Sequence, residues 1–218
     1  MAPAAPRTAS PEVLWSADTL KIARWTTSGC EDWPGCTVLT VLMQGCPWAC
    51  TSCMKPELRD SLAAGSVTWR EVRDVIAHSR SGLDGVVFSG GEPTRQDGLA
   101  DAMEQVRSLG VPVGLHTSGS YPQRLAAVLS LADRVVLEIK APATLYRAVT
   151  GVGASAHKAF ASLRLALEAG LSLQVRTVVD PDVLDEDAIE ALRENLAAMG
   201  VRDHVLVAFQ PPGPPPGG

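Results

Sequence analysis

The sequence predicts an α/β fold, namely a partial, open-sided (β/α)6 TIM-like barrel of parallel strands. Short apolar runs of strand length alternate about six times with longer segments of helical period, which is typical of right-handed βαβ units around a parallel sheet. A closed barrel normally needs eight such units and about 250 residues, whereas this chain has 218. We therefore expect the barrel to remain open on one side.

Six runs are predicted to be strands because they are apolar nearly throughout, as parallel strands are when helices cover both faces of the sheet. A half-exposed antiparallel strand would instead alternate apolar and polar residues. The six predicted strands span residues 38–43, 85–89, 111–116, 134–139, 171–178 and 204–209.

Helices are predicted between these strands. Thr68 and Glu71 have the spacing of a capping box at the start of the first long helical segment. Apolar stripes at helical spacing mark the faces that pack on the sheet. They comprise Leu99, Met103, Val106 and Leu109 in one helix, and Ile189, Leu192, Leu196 and Met199 in another.

The composition indicates one globular domain. A hydrophobic fraction of 46% and the length of the chain suit a single buried core. We predict that residues 13–210 form this domain. Residues 1–12, rich in Pro, Ala and Ser, and residues 211–218, rich in Pro and Gly, are predicted to be disordered tails.

Charge and hydropathy argue against several classes of partner. A net charge of −5 disfavours nucleic acid and anionic membranes, because both require clustered Lys and Arg. The first residues lack the apolar run of a secretory signal, and no apolar stretch approaches the roughly 20 residues that span a bilayer. We therefore expect a cytoplasmic protein, in which the five cysteines are metal ligands or buried thiols.

Unusual residues follow the predicted strands. The cysteine segment 45–55 follows the first strand, SGGEP (89–93) the second and HTSG (116–119) the third, while EIK (138–140) ends the fourth and VRT (175–177) lies late in the fifth. The carboxyl ends of parallel strands share one rim, where such folds bind ligands. The five segments are therefore predicted to converge on one mouth.

Three cysteines, Cys46, Cys50 and Cys53, have C-x-x-x-C-x-x-C spacing. Three thiolates can each hold one iron of a [4Fe–4S] cluster and leave the fourth iron without a protein ligand. The alternatives are a zinc site completed by His78 or His116, and cysteines that merely pack. The neighbouring motifs favour the cluster.

The GGE motif, Gly90, Gly91 and Glu92, follows the second predicted strand. Two residues without side chains let a ligand approach the backbone, and a carboxylate can accept hydrogen bonds from an ammonium group. An ordinary βα turn is the alternative interpretation, because Gly and Pro are common there.

In these motifs the chain resembles the radical S-adenosylmethionine (SAM) enzymes. The similarity extends from about residue 25 to residue 210. More narrowly, EDWPGCTVLTVLMQGCPWACTSCMKPEL, VVFSGGEPTRQ, ADRVVLEIKAP, YRAVTG and VRTVVDP, in this order, resemble the activating proteins of anaerobic ribonucleoside-triphosphate reductases. Those proteins are relatives of the pyruvate formate-lyase activases.

The resemblance implies a [4Fe–4S] cluster on the three cysteines and SAM bound at its open iron. Reduction then cleaves SAM to methionine and a 5′-deoxyadenosyl radical, which removes hydrogen from a backbone glycine of a partner enzyme. That partner would dock at the open side of the barrel, and a flavodoxin- or ferredoxin-type protein would supply the electron. The implied SAM-binding residues are Ser52, Gly90, Gly91, Glu92, Thr117, Ser118, Glu138, Lys140 and Arg176.

Several positions depart from the family's pattern. Ser52 replaces an aromatic residue near the adenine, and Trp48 is the candidate to compensate. His116 and Glu138 replace two Asp residues that help the relatives hold a monovalent cation beside SAM. Because an imidazole supplies less negative charge than a carboxylate, we expect potassium to have little effect on SAM binding.

Other functions remain open at this point. A divergent radical SAM enzyme could modify a peptide or a small metabolite, and a non-catalytic metal-binding module is the alternative of another class. Cys30 and Cys36 are interpreted as non-ligands, because two cysteines cannot anchor a second cluster. Three tryptophans ahead of the barrel are expected to cover its bottom or one edge. They are Trp15, Trp25 and Trp33.

Overall fold

The structure, a computed structural model, describes residues 15–30 and 32–211. The two predicted tails, 1–12 and 211–218, lie outside the described residues apart from Pro211.

The described chain forms one seven-stranded sheet whose strands follow one another in chain order. Six strands are parallel, and they confirm the six predicted from the sequence. The first strand pairs with the second in antiparallel orientation. The strands are β1 (Ile22–Cys30), β2 (Trp33–Met43), β3 (Gly85–Gly90), β4 (Val113–Thr117), β5 (Arg134–Glu138), β6 (Ser172–Val179) and β7 (His204–Ala208).

The strand β1 is not among the predicted strands. Its sequence, IARWTTSGC, has no continuous apolar run and therefore lacks the pattern of a strand covered on both faces. This sequence suits the position of β1 at an edge of the sheet, where only part of the strand is covered. Trp25 and Thr26 of β1 pair with Val41 and Thr40 of β2. The strand therefore owes its conformation to its neighbour, since Thr and Trp suit a half-exposed antiparallel strand.

Six α-helices of the described chain connect the parallel strands. The predicted capping box is confirmed at the first helix, where the Thr68 backbone N–H donates to Glu71 Oε2 at 2.7 Å and the Glu71 N–H donates to Thr68 Oγ1 at 3.3 Å. The helices are α1 (Trp69–Ser79), α2 (Leu99–Ser108), α3 (Pro122–Val128), α4 (Tyr146–Thr150), α5 (Ser155–Glu168) and α6 (Glu186–Ala198).

The predicted apolar stripes face the core. Leu99, Met103 and Val106 of α2 are buried, as are Leu192 and Leu196 of α6. Helices of the described chain thus cover the outer face of the sheet, which explains why the parallel strands are apolar along most of their length.

Trp33 covers the end of the sheet at which the parallel strands begin. A Cβ atom on Gly85 would lie 2.7 Å from the Trp33 ring, and one on Gly114 would lie 3.3 Å from it. Trp33, the first residue of β2, therefore closes the bottom of the partial barrel, as expected for one of the early tryptophans. Trp25 lies in the edge strand β1, and Trp15 is 62% exposed.

Among the described residues, no helix is both long and apolar enough to span a membrane.

Candidate functional site

One pocket of about 380 Å³ lies at the carboxyl ends of the parallel strands. Its wall includes residues from every strand or from the loop after it, so the five motif segments do converge on one mouth. All but one of the predicted site residues line it, namely Cys46, Cys50, Ser52, Cys53, Gly90, Gly91, Thr117, Ser118, Glu138, Lys140 and Arg176. Glu92 lies behind the wall.

The cysteine loop after β2 is held by backbone hydrogen bonds on both sides. Its first residues are fixed by the turn that follows, since the Cys46 N–H donates to the Arg59 carbonyl at 3.0 Å. Its later part is fixed by α4, because the Ala49 N–H donates to the Thr150 carbonyl at 3.1 Å and the Thr51 N–H to the Val149 carbonyl at 2.9 Å. The loop therefore has a defined conformation against two other elements.

The three cysteines are held in an apolar setting. Cys50 is buried, and Cys46 and Cys53 are half-buried. Burial raises the pKa of the Cys46 thiol to about 12 and also raises the pKa of Cys50, while the Lys140 ammonium opposes both shifts. Thiolates in this setting need a compensating positive charge, which the iron ions of a cluster supply. Three sulfur donors and no carboxylate in one loop fit an iron–sulfur cluster.

The zinc alternative requires a fourth ligand from His78 or His116. Among the described side chains, no three His, Cys, Asp or Glu are grouped so as to hold one metal ion, and this includes the three cysteines. His78 is exposed on α1, with Nδ1 2.6 Å from the Asp74 carbonyl oxygen, and it does not line the pocket. Cys36 lies in the first half of β2, at the opposite end from the cysteine loop. The Cys30 side chain lies outside the described part of the chain.

The Glu92 carboxylate is fully buried and accepts five hydrogen bonds from its own chain. Its Oε1 accepts from the Thr94 N–H at 3.0 Å and from two hydroxyls, Thr94 Oγ1 and Thr117 Oγ1. Its Oε2 accepts from the Ser118 N–H at 2.8 Å and from Ser118 Oγ. The sequence motif predicts that this carboxylate faces a ligand ammonium group. In the structure the carboxylate instead joins the loop after β3 to the loop after β4.

Gly90 and Gly91 allow the loop after β3 to lie directly on the cysteine loop. Gly90 has a φ of +105°, which favours glycine, and a Cβ atom on it would lie 2.4 Å from the Met43 nitrogen. The Glu92 N–H donates to the Gly45 carbonyl at 2.9 Å. The two glycines are therefore required by backbone packing, besides leaving the pocket wall free of side chains.

Replacing Gly91 with Ala should disturb the cysteine loop. The added Cβ atom would lie 2.5 Å from the Gly45 oxygen and 2.9 Å from the Leu58 oxygen, and these are backbone atoms that cannot rotate away. We expect the Gly91→Ala variant to lose about 2 kcal/mol of unfolding free energy in anaerobic urea titrations. It should also bind less iron than the wild type after reconstitution.

The matched control is Gly153→Ala, because no atom lies within 4 Å of the position that its Cβ would take. Iron content and stability equal to wild type in both variants would contradict the close packing of the two loops.

A chain of ionisable side chains crosses the inside of the pocket. The Lys140 ammonium donates to Glu138 Oε2. Glu138 Oε1 lies 2.9 Å from His116 Nε2, and His116 Nδ1 lies 3.1 Å from Asp32 Oδ2. Asp32 Oδ1 then accepts from Arg176 Nη1 at 2.6 Å. The His116 ring thus bridges two carboxylates, and each cation of the chain contacts a carboxylate.

Asp32 is a site residue that sequence reasoning missed. It belongs to the turn between β1 and β2, and it reaches residues that lie far away in the sequence. Burial opposes its ionisation, but His116, Arg176 and Lys55 outweigh burial and hold the pKa of the Asp32 carboxyl below its usual value. No local motif marks this Asp; only its position beside Trp33, which closes the barrel bottom, would have suggested an inward carboxylate.

The region expected near an adenine ring contains Ser52 and Trp48, and both line the pocket. Trp48 is 3% exposed, and its ring packs edge-to-face on Tyr146 at 6.0 Å between centroids. The Tyr146 hydroxyl accepts from the Lys140 N–H at 3.1 Å. Trp48 is therefore part of an aromatic contact that joins the cysteine loop to α4 and the end of β5.

Solved structures with a similar fold include those of two bacterial proteins. SuiB of Streptococcus suis, bound to its precursor peptide SuiA, superposes with a TM-score of 0.65 over 79% of this chain and 39% of its own, at 15% identity; SuiB has also been solved with SAM. QueE of Escherichia coli superposes with a TM-score of 0.54 over 91% of this chain and 99% of its own, at 14% identity. At these identities the similarity concerns the fold.

Sequence comparison gives a relative and a family. A probable GTP 3′,8-cyclase of Thermococcus kodakarensis is 29% identical over 115 residues, which are 51% of this chain and 37% of that protein. This chain therefore spans well under half of the length of that relative. Residues 40–194 match the family model of the radical SAM superfamily. Since this match covers most of the chain, the protein belongs to the radical SAM superfamily, whose cofactors are a [4Fe–4S] cluster and SAM.

Proposed function

We propose that this protein cleaves SAM reductively and uses the resulting 5′-deoxyadenosyl radical to generate a glycyl radical on a partner enzyme, such as an anaerobic ribonucleotide reductase. The observation that supports this function is the single pocket that unites Cys46, Cys50 and Cys53 with the two glycines of the GGE motif. In this proposal the three cysteines hold the cluster, and the cofactors supply the radical chemistry.

The other pocket residues bind and orient SAM in this proposal. Gly90 and Gly91 let the ligand approach the backbone, while Thr117 and Ser118 line the adjoining wall, where Glu92 holds their positions. Lys140 and Arg176 provide positive charge for an anionic ligand group. Because Glu138 and Asp32 already hold these two cations, they need little reorganisation when the ligand binds.

The partner's glycine would reach the pocket through the open side of the sheet. In the described chain β1 and β7 are the two edge strands. Thr26 of β1 and Val207 of β7 both line the pocket, so the pocket extends between the two edges. An extended loop of a partner protein fits such an opening better than it fits the mouth of a closed barrel.

A second candidate function is the modification of a peptide or small metabolite. SuiB has been solved with a precursor peptide, and the T. kodakarensis relative is described as a probable cyclase of GTP. The His116 and Glu138 substitutions also distinguish this pocket from that of the activases it resembles. The alternative to an enzyme is a non-catalytic metal-binding module.

Anaerobic reconstitution with iron and sulfide, followed by addition of SAM and dithionite, separates these classes. An enzyme of either kind will form 5′-deoxyadenosine, whereas a binding module will not. Protein that carries only zinc and stays colourless after reconstitution would contradict both enzymatic functions.

The two enzymatic functions differ in the source of the abstracted hydrogen. If the partner is a glycyl radical enzyme, deuterium from that protein's labelled glycines will appear in 5′-deoxyadenosine, as measured by mass spectrometry. Absence of label from candidate glycyl proteins, together with label from a peptide or metabolite, would favour the second function.

A further inference from the structure

A second groove lies at the same rim of the sheet as the pocket. We call it the basic groove, and its charged and aromatic residues are Lys21, Arg95, Asp97, Tyr121 and Arg124. Lys21 precedes β1, Arg95 follows β3, and Tyr121 and Arg124 follow β4. Three separate segments thus supply its cations.

The basic groove has more positive than negative charge. Arg124 Nη2 pairs with Asp97 Oδ1 at 2.7 Å. The Lys21 ammonium donates to a carbonyl oxygen, that of Ser61, at 3.1 Å. Within residues 15–30 and 32–211, no carboxylate forms an ion pair with Lys21 or with the half-buried Arg95. Three cations therefore face one carboxylate in a chain whose net charge is −5.

An aromatic ring extends this positive region. The Arg124 guanidinium lies 5.4 Å from the centroid of the Tyr121 ring, and the Lys158 ammonium lies 5.9 Å from it. Both distances are within the range of cation–π contacts. Tyr121 thus holds a fourth cation beside the groove.

The basic groove adjoins the cysteine loop directly. A Cβ atom on Gly45 would lie 3.2 Å from Arg95 Nη1, and Gly45 immediately precedes Cys46. The groove and the pocket share no lining residue. A protein seated in the groove would therefore approach the cluster ligands without entering the SAM pocket.

We propose that the basic groove docks an acidic electron-transfer protein against the cysteine loop. This inference rests on the proposed function, because reductive cleavage of SAM requires an electron from outside the chain. One electron passes from the reduced donor to the cluster, so the donor is oxidised as the cluster is reduced. Carboxylates on the donor complement Lys21, Arg95 and Arg124, and such complementarity accelerates association at low salt.

The test is the rate constant for reduction of the reconstituted cluster by an acidic, low-potential ferredoxin, followed by the visible absorbance of the cluster. The double variant Arg95→Glu/Arg124→Glu should react about tenfold more slowly than wild type at low ionic strength. Added salt should slow the wild type and change the variant little. The single variant Arg124→Glu, at an exposed position, should show a smaller decrease.

The matched control is Arg193→Glu/Arg202→Glu, which changes the net charge equally on exposed residues at the opposite end of the sheet. It should keep the wild-type rate with ferredoxin. Photoreduced deazaflavin, a small reductant that needs no docking surface, should reduce all variants equally fast.

Three outcomes would contradict the proposed docking site. The double variant could be reduced by ferredoxin as fast as the wild type, the control variant could be reduced by ferredoxin as slowly as the double variant, or the double variant could be reduced as slowly by deazaflavin as by ferredoxin. Failure of the wild type to form 5′-deoxyadenosine with deazaflavin would instead contradict the proposed function. Docking would then be judged by calorimetry, in which the double variant must bind ferredoxin more weakly.

Discussion

Replacing Glu92 with glutamine will lower the free energy of unfolding by about 3 kcal/mol, since an amide leaves at least one buried backbone donor without an acceptor. The two carboxylate oxygens face different fixed donors, the N–H groups of Thr94 and Ser118. In either orientation of the amide, its NH2 group faces the N–H of Thr94 or of Ser118, and two donors cannot form a hydrogen bond with each other. Urea denaturation under anaerobic conditions measures the loss.

The Glu92→Gln variant should also bind SAM more weakly, because Thr117 and Ser118 lose a partner that holds them in the pocket wall. Glu71→Gln is the matched control. Both donors to the Glu71 carboxylate, the Thr68 N–H and hydroxyl, face one oxygen, so an amide can keep its oxygen there. A loss of stability as small as that of Glu71→Gln would show that the Glu92 contacts contribute little.

Replacing Asp32 with asparagine will lower the free energy of unfolding by about 3–5 kcal/mol, the usual cost of removing one partner from a buried ion pair. The substitution leaves Arg176 and His116 without the carboxylate that they share. Thermal or urea unfolding measures the effect. Asp97→Asn is the control, because it removes an exposed ion pair with Arg124 and should cost about 1 kcal/mol or less.

The effect of Asp32 will depend on pH. Since its pKa is lower in the folded than in the unfolded protein, the ionised carboxylate stabilises the fold at neutral pH. This contribution is lost as pH falls toward the folded-state pKa. The stability difference between wild type and Asp32→Asn should therefore shrink below about pH 4. A difference that stays unchanged in acid would contradict the ion pairs described for Asp32.

The candidate site could be located from the sequence because parallel strands present their carboxyl ends at one rim. Once Cys46, Gly90 and Lys140 were assigned to the carboxyl ends of three parallel strands, their convergence followed from topology alone. The direction of individual side chains did not follow. Glu92 turns away from the pocket because Thr94, Thr117 and Ser118 saturate its carboxylate, and a sequence motif does not reveal those partners.

Local periodicity and short-range spacing are sufficient to predict the six parallel strands, the capped helix α1 and the cysteine loop from the sequence. Two features become visible only in the folded chain: residues Ile22–Cys30 form an edge strand, and Asp32 enters the pocket. Both depend on long-range contacts: β1 is ordered by pairing with β2, and Asp32 meets an arginine 144 residues away. Such contacts arise from the curvature of the whole sheet, which no local stretch of sequence encodes.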